Sequence, residues 1–337
     1  MAPPRKHSKI KGSIFGVAVV DALGGPVEFH RRGSFAKVTG YRHNANFGVP
    51  PGTWTDDTSM TLCLAQALID SKGTFVSQAA IRNYIKWWKE GYLSSTGYCF
   101  DIGAGTASAL GIWLRFFQRR RASIREDDPD ADNDEQPEID RALKREIFCG
   151  NGSLMRVSPV GLVYSHDLDQ ALSVALRSSM VTHPYPTCAE CCMLYTKLIV
   201  CAVNGGTKED IAQEFASTPF NDQNVRLRFL KYTGLTDWMA TEERTIESTG
   251  FVISTLEAAL WSFFTTSSFQ EGALRAVNLG HDADTVGAVY GGLAGAFYGF
   301  ESIPAEWLEG LQRKDIIEEI SSGLVSLNVE AGMASSC

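Results

Sequence analysis

The chain has no run of about 18 uncharged apolar residues, the length a membrane-spanning helix needs. The nearest candidate, Val286 to Phe300, is shorter and follows directly on Asp282 and Asp284. An apolar leader is missing too, since the opening MAPPRKHSKIKG is basic and polar. These absences predict a soluble protein, cytoplasmic or nuclear, with no membrane partner. Positive charge is also scarce. Lys and Arg number 31 against 39 Asp and Glu, a net charge of −8. A surface built for the nucleic-acid backbone needs the opposite balance, so no nucleic acid is expected as a partner. A small anion is still allowed, because backbone amides and helix N-termini can hold phosphate without Lys or Arg.

Alternating β-branched runs bounded by turn residues are almost absent, which leaves little to build a sheet from. Helical spacing takes their place. It runs through Ile10, Ile14, Phe15, Val17 and Ala18, then through 60–69, 75–88, 103–117, 153–164, 168–180, 186–203, 245–264, 270–279, 285–300 and 304–324. The fold this predicts is all-α. With 337 residues, 44% of them hydrophobic, the chain can bury a sizeable core. Residues 122–138 carry dense acid, two prolines and no aromatic, and suit a solvated loop inserted in one domain spanning 1–337.

The eight cysteines form no paired pattern. Cys188, Cys191 and Cys192 cluster, but tetrahedral zinc needs a second ligand pair and only His183 lies near. Buried thiols on an apolar helix explain them better. Gly287, Gly291, Gly295 and Gly299 fall on one helical face, one turn apart. Glycine inside a helix costs about 1 kcal/mol relative to alanine, so a compensating close approach by another helix is expected.

Two short sequences carry chemistry: Gly52-Thr53-Trp54-Thr55-Asp56-Asp57-Thr58 and Gly280-His281-Asp282-Ala283-Asp284-Thr285, each opening an apolar helix. Helix capping explains one Thr or Asp per helix. It explains two acids and a hydroxyl, occurring twice, much less well, because adjacent carboxylates repel unless cations neutralise them. Oxygen-only ligands suit a hard cation, Mg²⁺ with Mn²⁺ as a substitute. Spacing alone does not bring the two clusters together. The Gly150-Asn151-Gly152 turn lets backbone amides approach an anion, and Ser153 could open the next helix and add its dipole. An ordinary tight turn reads the same way.

Further segments join these in a fixed order: Gly16 and Asp21-Ala22-Leu23-Gly24-Gly25-Pro26-Val27-Glu28-Phe29, Asp101-Ile102-Gly103 with Thr106, Gly150 through Met155-Arg156, Thr182-His183, and Ile303-Pro304 with Trp307. From about residue 12 to 310 the chain resembles the ADP-ribosylglycohydrolase family. Val20 and His281 stand where that family commonly has glycine, and the acidic insertion is not part of its pattern.

The resemblance implies a compact orthogonal bundle of α-helices with a dinuclear metal site in a cleft. It implies two Mg²⁺ (or Mn²⁺) on Thr55, Asp56, Asp57, Asp282, Asp284 and Thr285, with Asp56 or Asp57 as base and Glu28 as a further catalytic group. Asp101, Gly103, Gly150, Asn151, Gly152, Ser153, Met155, His183 and His281 would bind ADP-ribose, and Phe148 or Tyr185 would stack on adenine. The expected activity is hydrolysis of arginine- or serine-linked ADP-ribose on modified proteins, by a monomer.

Two rivals stand beside it. A metal-dependent phosphohydrolase would use similar acid pairs, but no Walker-type loop and no basic residue adjoins either cluster. An inactive ADP-ribose-binding or crystallin-like relative would not need all six metal-ligand positions filled.

Overall fold

The computed structural model describes residues 5–122 and 136–334. Every regular element among them is helical, apart from two isolated backbone bridges, Asn44 with Val49 and Gly150 with Phe251. The α-helices are α1 (Lys6–Gly24), α2 (Asp56–Asp70), α3 (Ser77–Glu90), α4 (Ala104–Ala122), α5 (Gln136–Leu143), α6 (Ser158–Val163), α7 (Leu168–Met180) and α8 (Pro186–Val203). After them come α9 (Lys208–Ala216), α10 (Gln223–Phe229), α11 (Leu235–Ala240), α12 (Val252–Phe264), α13 (Phe269–Val277), α14 (Ala283–Tyr298), α15 (Ala305–Gly310) and α16 (Lys314–Ala334).

The centre is the pair α1 and α14, both buried nearly all round, as a helix apolar on every face must be. They run antiparallel in close contact. Gly12 meets Gly295, Gly16 meets Gly291, Val20 meets Gly287, and Gly24 meets Ala283 and Asp284. A Cβ on Gly291 would stand 2.0 Å from the Gly16 carbonyl oxygen, and one on Gly295 2.0 Å from that of Gly12. Three of the four striped glycines are thus explained by contact. The fourth, Gly299, lies beyond the helix as its C-cap with φ 84°, a conformation natural to glycine. Helices α2, α6, α8, α12, α13 and α16 pack around this pair.

Several expected helices begin or break elsewhere. The segment 153–164 is helical only in α6, which starts with Pro159 in its first turn. The segment 245–264 becomes helical at Val252, and 304–324 splits at Leu311–Arg313. That break docks on the first acidic loop: Trp54 Nε1 donates to Gln312 O at 2.9 Å and Gln312 N to Gly52 O at 3.0 Å. Residues 123–135 of the expected acidic loop lie outside the described residues. Its end, 136–138, is helical rather than looped, because Gln136 donates to Met180 O at 2.9 Å and Glu138 pairs with Arg115 and Arg119.

Helices α1 and α8 are long and apolar enough to cross a membrane by length and composition alone, more so than the 286–300 stretch. Most of each is buried among other helices, the pattern of a core helix. The thiols of Cys188, Cys191 and Cys192 are buried on α8 and free. Among the described residues, the group of His, Cys, Asp and Glu that could hold a metal contains none of them.

Candidate active site and metal centre

Because α1 and α14 are antiparallel, the end of α1 meets the start of α14, and α2 opens beside both. Thr55 occupies the N-cap position of α2 and Asp282 that of α14, yet neither side chain makes a capping hydrogen bond. Capping therefore does not account for the two clusters. Helix α2 is capped instead from α1. Asp21, fully buried, accepts from Thr55 N with both oxygens at 3.0 Å and from Thr58 N at 3.1 Å. The Thr58 hydroxyl also donates to it at 2.5 Å. This leaves the Thr55 side chain free of capping, where the heads of α2 and α14 come together.

There the clusters meet. Thr55 Oγ1 lies 3.3 Å and Thr285 Oγ1 3.4 Å from Asp57 Oδ2. Glu28, Asp282 and Asp284 each offer a carboxylate oxygen within 4.8 Å of the others. Glu28 arrives on the turn after α1, which is clipped to the α14 entrance: Phe29 N donates to His281 O and His281 N to His30 O, both at 2.6 Å. His281 takes φ 58°, a left-handed conformation that favours glycine. Its side chain is exposed, so its contribution to the site is through the backbone.

The electrostatics are one-sided. Burial pushes the Glu28 carboxyl up to about 10, with Asp101, Asp282 and Asp56 adding to the effect. Burial first, and neighbouring acids second, hold Asp56, Asp57 and Asp284 well above the carboxylate range. Burial also raises Asp101 and Asp282, the latter against hydrogen bonds from Asn151 and Thr285. Asp21 rises to about 7 through burial, opposed by its four hydrogen bonds. None of these acids has an ion pair among the described residues. Glu28 Oε2 and Asp57 Oδ1 are buried with no hydrogen-bond partner. Unpartnered buried carboxylate oxygens beside threonine hydroxyls are what a hard cation requires, and its charge would reverse the upward shifts. This acidic group can bind metal.

The Gly150–Gly152 loop flanks the acids. Its backbone pairs with the strand-like 250–252 segment, Asn151 N donating to Gly250 O at 3.1 Å and Val252 N to Cys149 O at 3.0 Å. A buried guanidinium organises the rest: Arg156 donates to Gly152 O at 2.9 Å, Ser178 O at 3.1 Å and Thr182 Oγ1 at 2.6 Å. Thr182 Oγ1, which accepts from Arg156, also shares a hydrogen bond with His183 Nδ1 at 2.8 Å. His183 is kept neutral, its imidazole pushed down to about 3 by burial and then by Arg156. Its Nε2 lies against Gly105, Gly150 and Gly152. A Cβ on Gly152 would come within 2.8 Å of that ring and 2.9 Å of Thr106 Oγ1, so the loop admits only glycine there.

Not every expected site residue reaches the acidic group. Met155 is buried in the core. Ser153 opens no helix; it is buried, and its hydroxyl accepts from Ser179 at 2.9 Å behind the loop. Gly103 accepts from Ala107 N at 2.9 Å as the lead-in to α4. Asp101 is half-buried and near enough to raise the Glu28 and Asp56 carboxyls, and Phe148 and Tyr185 are half-buried beside the loop. Asn151 turns its side-chain amide to Asp282 Oδ2, 2.7 Å away. Asp21, Thr255 and Arg156 were not expected as site residues. Asp21 stood in the opening motif, but its hydrogen bonds cross 34 residues of sequence, and no local spacing reveals them.

Known proteins resemble this chain along its whole length. It is 31% identical to the ADP-ribosylarginine hydrolase Tri1 of Pseudomonas putida, over 96% of this chain and 80% of that one. It is 28% identical to the ADP-ribosyl-(dinitrogen reductase) glycohydrolase of Rhodospirillum rubrum, over 99% and 100%. A solved structure, titled ADP-ribosylglycohydrolase-related protein complex, superposes with a TM-score of 0.74 at 32% identity, covering 96% of this chain and 99% of that one. Residues 2–332 match the ADP-ribosylglycohydrolase family, and the chain belongs to that family.

Proposed function

We propose that this protein hydrolyses the glycosidic bond between ADP-ribose and a modified protein side chain, with arginine-linked ADP-ribose as its first substrate and two divalent cations, Mg²⁺ or Mn²⁺, as cofactors. The observation that carries the reading is the meeting of the two acidic clusters at Asp57 and Thr285, 228 residues apart, in a buried group short of positive charge. Family membership supplies the reaction class, and the arginine preference follows the relatives that carry that linkage in their names.

Thr55, Asp56, Asp57, Asp282, Asp284 and Thr285 would hold the cations, and Glu28 lies within reach of the same group. When bound, such cations neutralise the aspartates, polarise the hydroxyls of the distal ribose and acidify a water. The protein's own groups do the rest. Asp56 or Asp57 takes the proton from the attacking water. The Gly150 and Gly152 amides and the neutral His183 ring face the diphosphate, and Phe148 and Tyr185 flank the adenine. Glu28 and Asp101, acids outside the six cation ligands, favour positive charge and so stabilise the oxocarbenium-like transition state that glycoside cleavage passes through. They also suit the cationic guanidinium of an arginine substrate.

The test is a panel of arginine-, serine- and acid-linked ADP-ribose substrates, each with Mg²⁺ and with EDTA. Release of ADP-ribose from the arginine-linked substrate, abolished by EDTA, is expected. Release of inorganic phosphate would favour the phosphohydrolase, and tight ADP-ribose binding without turnover of any substrate would favour the inactive binder.

A further inference from the structure

The geometry points to Asn151 as a positioning residue for the metal centre, fixing the rotamer of Asp282 from the anion loop rather than binding substrate with its side chain. This deepens the proposed function and rests on it.

The hydrogen-bond directions leave little freedom. Asn151 Nδ2 lies 2.7 Å from Asp282 Oδ2 and 2.9 Å from Thr255 Oγ1. The Thr255 hydroxyl donates its one proton to Thr249 O at 2.9 Å, so toward Asn151 it can only accept. The Asp282 carboxylate also accepts. Both partners demand donors, which fixes the amide with its NH₂ toward them and commits both of its N–H bonds within the protein. A ligand could capture that NH₂ only by pulling it off Asp282. The loop that carries Asn151 is anchored through Asn151 N to Gly250 O at 3.1 Å, so the donor is held on rigid backbone.

Asp282 is gripped on its other sides. Its backbone N donates to Ser248 O at 2.9 Å, and Gly250 passes so close that a Cβ there would stand 3.0 Å from Asp282 Oδ2. Asp282 Oδ2 is thus held by Asn151 and walled by Gly250, which fixes the carboxylate that Asp282 offers to the cluster with Glu28 and Asp284. Hydrogen bonds to a ligating carboxylate set its orientation and basicity. Asn151 therefore serves cation binding through Asp282, and its backbone N–H, given to Gly250 O, is committed within the protein as well.

The experiment uses the full chain stripped with EDTA and titrated with Mn²⁺, the free ion being followed by electron paramagnetic resonance. Asn151→Ala is expected to weaken Mn²⁺ binding about ten- to a hundredfold, with activity recovering as Mn²⁺ is raised. Thr255→Val, which removes only the far anchor of the amide, should weaken it less and in the same direction. Should Asn151→Ala not fold by circular dichroism, Thr255→Val decides alone. Mn²⁺ affinity equal to wild type in the folded variants, with a raised KM that excess Mn²⁺ does not rescue, overturns the inference and makes Asn151 a substrate ligand. Wild-type protein that binds no Mn²⁺ overturns the proposed function itself, and that result is read before any variant is made.

Discussion

Thr285 Oγ1 lies 3.4 Å from Asp57 Oδ2, joining a hydroxyl at the head of α14 to a carboxylate at the head of α2. The contact exists because glycines let α1 and α14 touch backbone to backbone, and because Asp21 on α1 takes over the capping of α2. Close packing in one direction and a borrowed cap in the other bring two helix N-termini to a single point. Helix N-termini carry partial positive charge, which eases the crowding of acids there without removing the need for cations.

If cations complete this group, they bind the native chain alone and must stabilise it. EDTA is expected to lower the melting temperature and abolish activity together, with Mg²⁺ or Mn²⁺ restoring both; cations at a hundred times their Kd contribute about 2.7 kcal/mol. Asp57→Asn should lose at least about a hundredfold in rate while keeping its helix content. Undiminished activity after exhaustive dialysis against EDTA would remove the metal from the mechanism.

The two acidic clusters, the glycine stripe and the anion loop were legible in sequence because each is a local pattern. What joins them was not. Asp21 with Thr55, Asn151 with Asp282 and Arg156 with Thr182 span 34, 131 and 26 residues, and no periodicity encodes such pairings. Ser153 misled because a serine after a glycine turn reads as a helix start, whereas the chain continues in turns until Pro159 can enter a first helical turn. Helices α9, α10 and α11 escaped notice for another reason: at 9, 7 and 6 residues they are too short for a period of 3.6 to declare itself.

Asp21 should behave as a cap rather than a ligand. In Asp21→Asn one oxygen becomes an NH₂ that faces the donors of Thr55 and Thr58, and each buried donor left unpartnered costs about 1–3 kcal/mol. Urea denaturation of the EDTA-treated protein should show that loss, since it does not depend on bound metal. Equal stability of wild type and variant in EDTA would mean that Asp21 does not hold α2.

The central helix pair predicts opposite outcomes for two glycine-to-alanine changes. Gly291→Ala drives a methyl to within 2.0 Å of the Gly16 carbonyl oxygen, so the helices must part, at a cost of about 3 kcal/mol or more. In Gly111→Ala on α4 the first neighbour is Arg115 at 3.7 Å, and better helix propensity should stabilise by up to about 1 kcal/mol. Melting curves of the two variants, run in EDTA, separate them; equal shifts would refute the contact.

His183 gives stability a pH dependence of known sign. Folding lowers its value from 6.5 to about 3, so below pH 6.5 the unfolded chain takes up a proton that the folded chain refuses. Its contribution is therefore full above pH 6.5 and falls with acid, by up to about 1.4 kcal/mol per pH unit, until pH 3. His183→Gln cannot titrate. In EDTA, its unfolding free energy should decline less steeply between pH 6.5 and 4 than that of wild type, and parallel slopes would show that the imidazole is not held neutral.

Glu28 bears on the linkage. It sits on a turn rather than a helix, its Oε2 buried without a partner and its carboxyl close to Asp282 and Asp284. Clipping of Phe29 and His30 to His281 fixes that turn against the acidic cluster, and in the proposed reaction the carboxyl would face the reacting end of the substrate. What it can do there depends on the leaving group. A serine leaves as an alkoxide, which is a poor leaving group unless it receives a proton, and general acid catalysis of such a step is worth about 10²–10⁴-fold. An arginine leaves as a guanidine from a group that was already cationic, and asks much less of a neighbouring acid. Glu28→Gln keeps the shape of the side chain but can neither donate that proton nor supply a negative charge. The variant is therefore expected to lose far more of its kcat on serine-linked than on arginine-linked ADP-ribose, whichever substrate the wild type prefers. Small, equal losses on both would leave Glu28 as a structural acid and place the whole of catalysis on the aspartates.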